Sequence, residues 1–197
     1  MNGLSNAKQE VLSEIGFNNL LPDYLKFASR LYFTPIDVAQ QAAIWLTENG
    51  EKKILDIGSG VGKFCVAAVI NVDSHFYGVE YRKSLNQIGK MLVKHYNLTN
   101  VTLLQANILD ITFLDYDGFY IFNPFYENLE KAKRLNDEVE LKEHLYLDFL
   151  KHTEDQLNLA KPGTKLVTYH GNNFEVPSSY KKINEAFNGD LKLWAKQ

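Results

Sequence analysis

Cysteine, methionine and tryptophan are scarce in these 197 residues, at one, two and two. A lone Cys65 builds neither a disulfide framework nor a cysteine zinc site, and it points to a reduced, cytoplasmic setting. Proline numbers only five and glycine twelve, with no linker, repeat or low-complexity run, so residues 1–197 read as one domain. An excess of positive charge is missing too. Against 24 acidic side chains stand 21 Lys and Arg, a net charge of −3, which leaves no basic stripe for a dedicated nucleic-acid binder. The longest apolar run, Phe64 to Ile70, is seven residues, far below the ~20 needed to cross a bilayer. Met1 to Leu21 lacks the basic start and apolar core of a signal peptide. His95, His144, His152 and His170 share no metal-ligand spacing, so no metal is expected. What remains, 45% hydrophobic and 23% charged, is the balance of a globular protein with a full core.

Residues 1–50 read as a helical cap and 51–197 as a core. Thr34-Pro35 opens a helix carried by Ile36, Ala39, Ala43, Ile44 and Leu46 and stopped at Asn49-Gly50. Short apolar runs then alternate with helical stretches. Strands are expected at Ile54–Ile57, Phe76–Val79, Val101–Gln105, Phe119–Phe122 and Thr164–Tyr169. Helices are expected at Lys63–Ile70, Lys83–Tyr96 and Val139–Ala160. This alternation implies a parallel sheet with helices on both faces. At the end, Asn188-Gly189 between Ile183–Phe187 and Leu191–Trp194 favours an antiparallel hairpin, against a rival helix over Tyr180–Phe187.

The sharpest local feature is Asp56-Ile57-Gly58-Ser59-Gly60-Val61-Gly62, a strand running into alternating glycines before a helix. A phosphate-binding P-loop needs glycine at Ile57 and Ser or Thr at Phe64, so it fails twice. A dinucleotide fingerprint needs a third glycine where Lys63 stands. Glu80 closes the second strand 18 residues after Gly62, where a carboxylate can accept from ribose hydroxyls.

Asp-x-Gly-x-Gly-x-Gly followed by that acid resembles class I S-adenosylmethionine (SAM) methyltransferases, over roughly residues 30–197. The loop with Gly78-Val79-Glu80 is similar to the non-SET histone-lysine methyltransferases in particular. The resemblance implies a Rossmann-like, mostly parallel seven-stranded α/β sheet with a C-terminal antiparallel hairpin. It implies SAM as cofactor, held by Asp56, Gly58, Ser59, Gly60, Gly62 and Glu80. Tyr81 would lie on the adenine and Asn107 would meet its amino group, in a position where the family commonly has an acid; Asp110 is a second candidate.

Asn123-Pro124-Phe125-Tyr126 resembles the Asn-Pro-Pro-Tyr motif of amino-methyltransferases, with Phe125 in the third position. That resemblance implies Asn123 and Tyr126 as catalytic residues facing an acceptor nitrogen; the plainer alternative is that Asn-Pro only ends a strand. Tyr32-Phe33-Thr34-Pro35 resembles segments that close over the methionine end of SAM, although Thr34 serves equally as a helix cap. Lys131, Lys133 and Arg134 read as a solvated basic cluster rather than a substrate clamp. The expected activity is methyl transfer from SAM to a nitrogen of a protein or small molecule, ahead of nucleic acid, with no membrane partner. A silent SAM-binding module and a nicotinamide-dependent oxidoreductase are the alternatives.

Overall fold

The computed structural model describes residues 12–130, 134–170 and 176–197. Among the described residues three helices form the cap: α1 (Glu14–Asn19), α2 (Asp23–Tyr32) and α3 (Ile36–Thr47). The core follows as β1 (Lys53–Ile57), α4 (Lys63–Ala68), β2 (His75–Glu80), α5 (Lys83–His95), β3 (Val101–Gln105), β4 (Gly118–Ile121), α6 (Glu143–Leu159) and β5 (Lys165–Tyr169). It ends in the strands β6 (Tyr180–Ala186) and β7 (Leu191–Lys196). They make one seven-stranded sheet in the order β3-β2-β1-β4-β5-β7-β6. β1 to β5 pair in parallel, and β7 runs antiparallel to both β5 and β6.

Strand residues alternate between the two faces of the sheet. Ile54, Phe76, Tyr120 and Val167 join one core with the cap, α3, α4 and α5. Leu55, Ile57, Phe119, Ile121 and Leu166 join a second core with Phe149 and Leu157 of α6. Asp56 stands opposite Tyr120 in the register, so this acid falls on the cap side. Strand order reverses between β1 and β4, and the carboxyl ends of strands at such a reversal leave a crevice for ligands. The glycine loop leaves β1 there, and Asn123 follows β4.

The terminal hairpin is present and the rival helix is not. Phe187, Asn188 and Gly189 all take positive φ (52, 56 and 86°), the left-handed turn geometry that Asn-Gly favours. β6 is a charged outer edge, with Lys181 to Glu185 exposed, which blunts pairing with other chains.

Two expectations needed correction. Thr34 is not a helix cap: its hydroxyl shares a buried 2.8 Å hydrogen bond with Tyr120 Oη. The first N–H of α3, from Ile36, goes instead to Glu14 Oε1 at 2.7 Å, a partner distant in sequence. The helix expected from Val139 starts only at Glu143. The reason is that Asn136 and Glu138 are spent on Arg82 and Ser84 at the β2–α5 turn, which holds this stretch across the sheet end. Lys131 and Lys133 lie outside the described residues; Arg134 pairs with Asp137. Among the described residues no helix is long and apolar enough to cross a membrane.

α5 crosses the sheet closely at Gly89, where a Cβ would lie 2.5 Å from Leu103 Cδ1 and 2.8 Å from the Val61 carbonyl oxygen. Glycine to alanine in an exposed helix gains about 1 kcal/mol. Here Gly89→Ala is expected to cost ~1–3 kcal/mol through overpacking, read as a lower urea midpoint.

Candidate active site

Gly58, Gly60 and Gly62 have φ of 78, 56 and 73°, a left-handed path that side chains would strain. Gly58 is also sterically required, since a Cβ there would sit 2.3 Å from Pro124 Cβ. Four of the loop's amides are already committed. Gly58 and Ser59 both donate to the Val79 carbonyl, at 3.1 and 2.8 Å, and Gly62 donates to Ser59 at 2.7 Å. Gly60 donates to Glu80 Oε2 at 3.0 Å. A pyrophosphate needs these N–H groups free, so this geometry disfavours a dinucleotide. A cofactor recognised by carboxylates and carbonyls meets no such conflict.

Glu80 is 6% exposed at the tip of β2. Its Oε1 accepts from the Arg82 N–H at 2.7 Å, and the Arg82 guanidinium stands 3.8 Å away. Burial pushes its pKa up, while the two N–H bonds and Arg82 pull it back down. A carboxylate has about four acceptor positions, so two remain for a diol. Arg82 is itself buried, donating to Glu127 at 2.6 Å and to Asn136 at 3.1 Å.

Two cavities flank this carboxylate. The larger, about 370 Å³, is walled by Thr34, Asp56, Gly58, Ser59, Gly60, Glu80, Asn123 and Tyr126, together with Tyr120 and Phe122. The smaller, about 60 Å³, is walled by Gly58, Glu80, Tyr81, Asn107 and Phe125, with Val139 to Leu141 closing it. Gly58, Glu80, Arg82, Pro124 and Glu127 belong to both. The chain thus brings together the expected site residues except Gly62, which packs on Leu103, and the second candidate Asp110, which is exposed; neither walls a cavity. Asn107 Oδ1 accepts from the Leu109 N–H at 3.1 Å, so it caps a short 3-10 turn. Ser59 Oγ is buried without a partner against Gly78. Arg82, Glu127, Tyr120 and Phe122 had no signal in local sequence, because their partners lie far along the chain.

Asn123 has φ of 41°, rare for a non-glycine residue and held here just before a proline. Its side chain is exposed at the cavity wall beside Tyr126, whose hydroxyl donates to Glu130.

A family model described as a methyltransferase domain matches residues 48–192. The chain belongs to this methyltransferase family. The 23S rRNA (uracil(1939)-C(5))-methyltransferase RlmD of Aliivibrio fischeri is 31% identical over 98 residues, 44% of this chain. The chain spans only 22% of that relative's length. An RNA methyltransferase from Salinibacter ruber, solved with S-adenosyl-L-homocysteine, superposes with a TM-score of 0.54 at 15% identity, covering 83% of this chain and 92% of that one. The N-methyltransferase NodS of Bradyrhizobium japonicum superposes at 0.53 and 11% identity, over 81% of this chain and 94% of that one. These structural likenesses show a shared Rossmann-like fold.

The methyltransferase's cofactor is SAM, and the residues present fit it. Glu80 keeps free acceptor positions, the glycine cradle leaves the backbone bare, and Asp56 offers a buried carboxyl to a cationic group. Asp56 is 4% exposed, and its one side-chain partner is the Cys65 thiol at 3.7 Å. Desolvation pushes its pKa up to about 8, the Glu80 charge adding and the thiol bond opposing. It is therefore protonated at neutral pH without ligand. Between the ordinary value of 3.8 and about 8 the folded state holds a proton that the unfolded chain has lost. Stability consequently falls as pH rises through that window and levels off above it. Asp56→Asn should remove the slope, so its melting temperature should exceed the wild type's by more at pH 8 than at pH 5. Equal differences at both values would contradict a neutral Asp56.

Proposed function

We propose that this methyltransferase transfers the SAM methyl to a nitrogen of a protein or small-molecule acceptor that enters the larger cavity and is oriented by Asn123. When bound, SAM supplies a methyl already activated on a sulfonium. Gly58, Ser59, Gly60 and Glu80 would hold it, with Asp56 toward its cationic end and Tyr81 and Asn107 on the adenine side. Gly62 serves the loop's turn and its packing. The protein's remaining task is orientation. An amide or arylamine nitrogen is a weak nucleophile because its lone pair is delocalised. Asn123 Oδ1 can accept the acceptor's N–H and fix that lone pair toward the methyl, while Tyr126 beside it offers a flat face. Positioning of this kind is worth up to ~7–11 kcal/mol in well-oriented systems. The observation that carries this reading is the left-handed Asn123 at the cavity wall, since strained backbone of this kind clusters at working sites.

RlmD and the structurally similar Salinibacter ruber protein bear names that specify RNA as acceptor, the first at a uracil carbon. A pyrimidine carbon activated by thiolate addition needs a reachable thiolate. Cys65, the chain's sole cysteine, is 0% exposed, and burial pushes its thiol well up. That chemistry therefore does not transfer to this chain. The remaining RNA reading, methylation of a base nitrogen, meets a cap with three basic and five acidic side chains in residues 1–50.

Calorimetric titration should show wild-type binding of SAM and S-adenosylhomocysteine. Glu80→Ala should weaken both on the order of 100-fold, since hydrogen bonds to an ionised carboxylate contribute ~1.5–3 kcal/mol each. No binding by the wild type would refute the cofactor assignment. With methyl-labelled SAM, label from a cell extract should enter a protease-sensitive or low-molecular-weight fraction; a ribonuclease-sensitive product would overturn the acceptor class. Asn123→Ala should keep cofactor affinity and lose on the order of 100-fold in transfer rate.

A further inference from the structure

Lys63 takes no part in the mechanism above, yet its side chain is only 3% exposed. It is the first residue of α4, directly behind the glycine loop. Its Nζ donates to Glu14 Oε2 at 2.7 Å and to Ser29 Oγ at 3.4 Å, and lies 5.4 Å over the Phe17 ring. Burying an ammonium is costly unless its partners are well placed. Those partners all come from the cap. Glu14 also takes the first N–H of α3 through its other oxygen, at 2.7 Å. Ser29 donates onward to Asn18 at 2.6 Å. One ammonium thus ties α1, α2 and the start of α3 to the end of the cofactor loop.

What lies between α2 and α3 makes this junction matter. Leu31 to Thr34 wall the larger cavity together with the glycine loop. Thr34 anchors the far end of that wall on Tyr120. Lys63 and its acid partner anchor the near end.

We propose that Lys63 is a positioning residue that couples the cofactor loop to the Leu31–Thr34 wall, so that filling the loop and seating the cap are linked. The proposal rests on the loop being the SAM site. A charge-assisted hydrogen bond of 2.7 Å exists only within a narrow range of separations. Any displacement of the start of α4 on cofactor binding therefore reaches Glu14, and through it α1 to α3. Linkage of this kind is reciprocal: a seated cap must also tighten cofactor binding. The apolar anchors Leu21 and Leu25 are also buried, so removal of the charge should loosen the cap without detaching it.

The test is backbone hydrogen exchange of residues 14–33, with and without S-adenosylhomocysteine at about 100 times its dissociation constant. In the wild type, saturation should slow exchange in α2 by up to a limit on the order of 100-fold. Lys63→Met keeps the stem and removes the charge. It should still bind S-adenosylhomocysteine, but exchange in α2 should no longer respond to it. A positional role alone predicts this lost response, because a merely structural lysine would change the basal rate and leave the response intact. Should Lys63→Met fail to fold, Glu14→Gln, altered at a half-exposed partner, makes the same comparison. An unchanged response in the folded variant, or bound ligand with no response in the wild type, would overturn the coupling. Absence of binding by the wild type would overturn the cofactor reading and the coupling with it.

Discussion

The carboxylate of Glu80 is the contact on which the site depends. With one oxygen it takes the Gly60 N–H and so holds the middle of the glycine loop; with the other it takes the Arg82 N–H and holds the β2–α5 turn. Arg82 in turn reaches Glu127 and Asn136, which fixes the chain after β4 over the same end of the sheet. A single buried acid therefore sets the relative placement of three loops that come from three different strands. Its desolvation is offset by those N–H donors and the nearby guanidinium, and its spare lone pairs face the two cavities.

Around that acid the molecule tolerates groups that a stability-driven core would exclude. Asp56 is buried with a thiol as its side-chain hydrogen-bond partner among the described residues, Lys63 is buried behind the loop, and Asn123 holds a left-handed backbone. Each is costly in isolation. All three border the larger cavity or its loop, and clustering of this kind is expected where structure has been kept for chemistry rather than for packing.

The elements were readable because their signals are local. Val101–Gln105 appears as a strand with the same bounds that its apolar run suggested, and Asn188-Gly189 makes the turn its φ preference requires. Glu80 stood out through its spacing behind the glycines, and it is indeed at a strand tip. Thr34 misled because a threonine before a proline is equally compatible with capping and with facing inward. Only the arrival of Tyr120, 86 residues later, decides between them. Helix α6 started late for a similar reason: the residues just before Val139 are held by Arg82 and Ser84, and the Lys142 N–H goes to Asn128 Oδ1.

By itself, the sequence determined the succession of strands and helices, the glycine loop after β1 and the turn at Asn188-Gly189. Those follow from backbone preference and apolar spacing, which act between near neighbours. Tertiary structure alone decided that four of the loop's amides are spent within the protein, that burial raises the Asp56 pKa, that Lys63 pairs with the cap and that Arg82 borders two cavities. Those depend on which groups meet across long loops and on how far water is excluded from them, and burial and pairing of charge exist only once the chain has closed on itself.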